Sequence, residues 1–231
     1  MLVQYGGGVL DARGSIGGQV HSKNRFGNYI RARITPVNPR SSRQNLVRAA
    51  VQYLAQYWST TLTQGERDAW EVYAAAITRS NKLGAQIKLT GFNHFIRSAV
   101  PRVQNVDAVI EPGPTTLTLP PADPIFACEV DETNQEISVT FDPLFAWNII
   151  DAAFMYIYMS IPKATGTNFI GGPFRLAGAL DGCTATPLTS PQILNVPFPV
   201  AEGQALVCRA RISEVDMRLS DYFQHASSVV A

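Results

Sequence analysis

The chain has 231 residues, 46% of them hydrophobic, three cysteines and a formal net charge of +1. That apolar content supplies a packed core and excludes wholesale disorder, and no run approaches the roughly 18–20 uninterrupted apolar residues of a membrane span. The start MLVQYGGGVLDARG lacks the charged and apolar regions of a secretory leader, so synthesis in the cytoplasm with no membrane partner is expected.

The near-neutral total conceals two halves of opposite sign. Residues 1–102 carry 14 Lys and Arg against 4 Asp and Glu, net +10, and residues 103–231 carry 5 against 14, net −9. A surface potential of one sign steers association with the other, so the split concerns partners more than fold.

In chain order, residues 1–38 are rich in glycine and arginine and too poor in apolar residues to build a core, which reads as an extended arm. Within it a β-ribbon is expected over about Gln19 to Thr35, turning at Gly27-Asn28, with Tyr29, Arg31 and Arg33 on one side of its second strand. Residues 39–108 read as a small helical region. Ser41 and Gln44 suggest a capping box before a helix from about Ser42 to Ser59, whose stripe Val47, Ala50, Val51, Leu54, Tyr57 and Trp58 faces inward. Thr63 and Glu66 suggest a second box, before a helix carrying Trp70, Tyr73, Ala74 and Ile77. These two helices are expected to pack on each other, fastened by Trp58 and Trp70. A short strand within Gly84 to Leu89 and a third helix from the cap Thr90 to a break at Pro101 follow.

Residues 109–124 hold five prolines, Pro112, Pro114, Pro120, Pro121 and Pro124, and read as a linker. Over residues 125–231 the period becomes two, in runs such as EISVTF, AFMYIYMS and QALVCRARI. The fold class expected is α+β: arm with β-ribbon, helical region, and a C-terminal antiparallel β-sandwich of immunoglobulin or fibronectin type.

No constellation names a reaction. The glycines match no phosphate-loop pattern, and His21, His94 and His225 share no metal-ligand spacing. Cys128, Cys183 and Cys208 lack C-x-x-C spacing and point to reduced, packed thiols, while Asp131 and Glu132 fall in the polar turn DETNQE. No cofactor, metal or catalytic residue is expected. The candidates for function are the arginines Arg25, Arg31, Arg33, Arg40, Arg43 and Arg48, a docking surface for an acidic protein face or for nucleic-acid phosphate. Phe26 and Tyr29 could stack on bases, but no nucleic-acid-binding motif accompanies them, so nucleic acid ranks second to a protein partner.

Read together, the glycine-rich start, GNYIRARITPVNPRSSRQNLVRAAVQYLAQYW, LTQGERDAW and TGFNHFIRS form an ordered pattern. It rests on Gly27, Arg31, Pro36, Pro39, Gln44, Arg48, Trp58, Leu62, Thr63, Arg67, Trp70, Gly91, Asn93 and Phe95. Over about residues 14–98 it resembles small structural proteins of tailed bacteriophages and prophages; PFPVAEGQ and VDMRLSDYF extend the likeness more loosely. The resemblance implies a non-enzymatic virion component, a capsid-associated decoration protein or a neck or tail subunit, whose partners are other virion proteins and copies of itself. The alternatives are a nucleic-acid-binding protein using the basic arm, or a carbohydrate-binding module on the sandwich.

Overall fold

Residues 1–81, 83–167 and 169–230 are described by a computed structural model. The arm forms an antiparallel four-stranded sheet of β1 (Leu2–Val3), β2 (Gly14–Ile16), β3 (Gln19–Asn24) and β4 (Gly27–Ala32), in the order β1-β4-β3-β2. The expected ribbon is β3–β4, but its turn lies at Arg25 and Phe26 rather than at Gly27-Asn28. Asn24 Oδ1 accepts from the Phe26 amide at 2.9 Å, an Asx turn, and Gly27 at φ 119° is already paired with Asn24. Strands β1 and β2, of two and three residues, are too short to show alternation in the sequence.

Three helices follow: α1 (Ser42–Thr60), α2 (Gln64–Ala76) and α3 (Gly91–Gln104), with the hairpin β5 (Thr78–Ser80) and β6 (Gln86–Lys88) between the last two. Ser41, Thr63 and Thr90 cap them as read, and only the Thr63–Glu66 box is reciprocal. Helices α1 and α2 pack chiefly on α3, not on each other. Their tryptophans meet through α3: the Phe95 ring lies 5.3 Å from Trp58 and 5.6 Å from Trp70. Gly91 allows this approach, since a Cβ there would lie 2.6 Å from the Glu71 amide nitrogen. Helix α3 does not stop at Pro101. The proline removes only the hydrogen bond to the Arg97 carbonyl, its ring is buried, and Asn105 still donates to its carbonyl.

Residues 105–126 run as an irregular strap over the helices. Val109, Ile110 and Leu119 pack into the helical core, Gly113 lies against the backbone of Ala69 and Trp70, and Trp70 Nε1 donates to the Glu111 carbonyl at 3.3 Å.

The second half is a seven-stranded sheet of β7 (Ala127–Asp131), β8 (Glu136–Thr140), β9 (Phe154–Ser160), β10 (Phe174–Asp181), β11 (Gln192–Asn195), β12 (Ala205–Ser213) and β13 (Phe223–Val230). Its order is β10-β9-β12-β13-β7-β8-β11, antiparallel except for β13 and β7, which pair in parallel at Val229↔Val130 and Val230↔Asp131. The end strands approach each other, Gly178 on β10 against Leu194 on β11, so the sheet nearly closes on itself. The fold class is therefore α+β, with most of its elements in sheets. Ile137, Val139 and Phe141 point inward as the alternation predicts, joining Trp147, Met155 and Ile157 in the core. Strand β9 lies inside the sheet, next to its end strand β10, and is buried on both sides.

Its outer side meets the helices, through arginines. Arg102, 1% exposed, donates to the carbonyls of Ala152 and Glu214 at 2.8 and 2.9 Å and lies over the Phe154 ring. Arg97 donates to the carbonyls of Leu219 and Ser220, both at 2.7 Å, and pairs with Asp221. Burial pulls Arg97 down to about 9, which still leaves it charged at neutral pH. Met217, from the loop between β12 and β13, enters the helical core.

Two outcomes follow from this packing. Trp70→Ala should cost roughly 3–5 kcal/mol and half-buried Trp58→Ala clearly less, read by urea denaturation. His94 is fully buried, edge-on to Tyr73, with neither ring nitrogen hydrogen-bonded, and burial pushes it down to about 4. The unfolded chain takes up that proton near the ordinary 6.5 and the folded chain does not, so this stability is present at neutral pH and lost as pH falls from about 6.5 to 4. Between pH 7 and 4 the native chain should lose about 3 kcal/mol more than His94→Leu.

Candidate assembly surface

No residue of 1–49 is buried; Ala50 is the first. The arm's sheet therefore has no core of its own, and a hydrogen bond from Asn81 Nδ2 to the Phe26 carbonyl, 2.9 Å, ties its β3–β4 turn to the β5–β6 hairpin. The six arginines read from the sequence all lie in this exposed stretch. Arg25 occupies the β3–β4 turn, Arg31 stands on β4, and Arg33 follows it with its amide bonded to the Gly18 carbonyl. Arg40 precedes the Ser41 cap at φ 47°, Arg43 lies in the first turn of α1, and Arg48 reaches back to Asn38 Oδ1 at 2.9 Å.

Among the described residues none of the six forms an ion pair; in residues 1–49 only Arg13 does, with Asp11. The structure thus brings the six onto one continuous exposed segment without assembling them into a pocket around a common point. Lys23 on β3, also exposed and unpaired, belongs with them and was detectable by the same criterion.

The helix that continues this surface departs from its expected packing. Of the inward stripe, only Ala50 and Leu54 are buried and Tyr57 and Trp58 half-buried, whereas Val47 and Val51 are 43% and 39% exposed beside Leu46 at 56%. The apolar periodicity is real, but no described residue packs closely enough on Leu46, Val47 and Val51 to bury them.

On the outer sheet face, aromatic rings carry guanidinium groups. Arg209 lies 3.9 Å from the centroid of Phe174, and Arg211 lies 4.0 Å from that of Tyr222, which also meets Tyr158 edge-on. Two of the rings that could stack on a sugar are thus each covered on one face.

The remaining chemistry-bearing residues are dispersed. Cys128 and Cys208 are buried, and Cys183 lies in a turn where hydrogen bonding with Thr186 lowers its thiol below the usual range. Asp131 caps the DETNQE turn by accepting from Asn134, and Glu132 accepts from the Glu202 amide. Among the described residues no three His, Cys, Asp or Glu side chains are placed to hold a metal ion, and no helix is long and apolar enough to cross a membrane. Compared with known proteins, the chain matches no family model and no curated protein sequence.

The absence of a core before Ala50 has a direct consequence for the isolated chain. Limited proteolysis should cut before residue 40 and spare the helices and the seven-stranded sheet, with the fragments identified by mass.

Proposed function

We propose that this chain is a non-enzymatic structural component of a tailed-phage particle, a capsid-associated decoration protein or a neck or tail subunit, that assembles through its basic N-terminal region. The observation that carries this reading is that residues 1–49, with a four-stranded sheet and the start of a helix, bury none of their side chains. Short strands whose side chains are at most half-buried are marginal in water, so a partner surface is the natural source of their stability. Seven cations without a carboxylate partner favour an acidic partner. The ordered likeness over residues 14–98 supplies the particle.

The seven-stranded sheet is read as an immunoglobulin- or fibronectin-like sandwich. In support, only two parallel residue pairs join the ladders of β7-β8-β11 and β10-β9-β12-β13, and Trp147 lies buried among residues drawn from both groups. Such a module presented on a short helical base suits repeated display on a particle.

The unpaired guanidinium groups of Arg31 and Arg33 also favour a second reading, binding to nucleic-acid phosphate. One variant separates the two. Arg31→Glu with Arg33→Glu should abolish incorporation into particles, imaged directly, while thermal unfolding of the sheet is unchanged. Normal incorporation of the variant removes the assembly reading, and steeply salt-dependent retention of the native chain on DNA, lost in the variant, supports the second.

A further inference from the structure

Between the first half of α1 and the outer side of β9 and β10 runs a groove of about 860 Å³. Arg43, Leu46, Val47 and Arg48 line its helix side, and Phe174 and Arg175 its sheet side; none of its described lining residues is acidic. Arg175 turns its guanidinium to the core side of the sheet, donating to the Pro197 carbonyl at 3.2 Å and lying over the Phe198 ring, so the cations of the groove are Arg43 and Arg48. The first turn of α1 contains no acidic residue, unlike that of α2 with Glu66, so the helix dipole adds to the positive potential instead of being offset. The groove is cationic at its rim and apolar along its helix wall.

The β7–β8 hairpin has the opposite character. Asp131 and Glu136 stand directly across from each other, and Glu129 precedes Asp131 on the same outward face. Like charges placed directly opposite are destabilising, and among the described residues none of the three has a cation within ion-pair distance. Glu132 and Glu202 flank them, and Val230, paired with Asp131, is 52% exposed.

We infer that the groove receives the β7–β8 tip of a second copy of this chain. Among the described residues no ion pair joins the two surfaces within one molecule, so their complementarity is available between copies. Arg43 and Arg48 neutralise the acidic pairs, and Leu46 and Val47 cover the apolar end of β13 at Val230. Because groove and tip are different surfaces, the contact is head-to-tail, and repetition closes a ring or extends an array. The inference rests on the assembly reading and adds the partner and both faces of the contact.

The test is reciprocal charge exchange in the full chain, followed by sedimentation velocity over a concentration series at two salt concentrations. Arg43→Glu with Arg48→Glu should weaken self-association at least about tenfold, as should Glu129→Arg with Glu136→Arg. All four substitutions in one chain should restore it to within about threefold of the native value. Native-strength association of either double variant, or a fourfold variant as weak as the doubles, overturns the contact. A native chain that remains monomeric yet enters particles normally also overturns it and leaves the assembly reading standing; failure to enter particles counts against both. DNA retention lost in the groove variant alone, with the tip variant native in every assay, reassigns the groove to phosphate.

Discussion

The buried guanidinium group of Arg102 is the constraint on which the rest of the molecule depends. A cation carried into an apolar joint must be surrounded by acceptors, and Arg102 finds them in the carbonyls of Ala152 and Glu214, on loops that bracket the ends of β9 and β12. Arg97, five residues earlier on α3, does the same with Leu219 and Ser220. Together they fix one helix against two loops of the sheet. Met217, entering the helical core from one of those loops, closes the same joint from the other side. The helices and the sheet thereby share their packing, and the strap of residues 105–126 runs across structure that is already fixed.

This joint sets apart two groups of arginines in the first half of the chain. Arg79, Arg97 and Arg102 are held by Asp221 or by carbonyl oxygens at the helix–sheet boundary. Those before Ala50 have no such use, and apart from Arg13 they face water without a carboxylate. The same side chain cements one region and leaves another with uncompensated charge, and the boundary between the two uses falls where α1 begins to bury residues.

Much of this was legible in the sequence where the signal is local. Helix caps, the alternation of ISVTF and the two-sided burial of FMYIYMS come from residues adjacent in the chain, and they recur in the structure. The misread details depend on distant partners. The stripe of α1 is apolar as its spacing predicts, but Val47 and Val51 stay exposed instead of packing inward. Trp58 and Trp70 do not clasp each other, because Phe95 arrives between their helices from α3. Arg97 and Arg102 carry no sequence mark of their role, since the carbonyl groups that tie them to the sheet lie 50 to 123 residues away and a carbonyl exists at every position. Of the candidate surface, the arm's cations were evident from charge alone. The sheet wall of the groove was not, since Tyr158, Phe174 and Leu176 come to face α1 only through the placement of β9 and β10 beside it.

The near-closure of the seven-stranded sheet has a bearing on behaviour at high copy number. Its terminal strands β10 and β11 lie against each other at Gly178 and Leu194, so part of the unpaired backbone edge that invites indiscriminate strand addition is shielded. The arm's sheet, by contrast, ends in β1 and β2, and among the described residues no further strand pairs with either. The backbone most open to extension therefore lies in the same segment that carries the unneutralised charge, and like charge on two such segments disfavours edge-to-edge pairing between them.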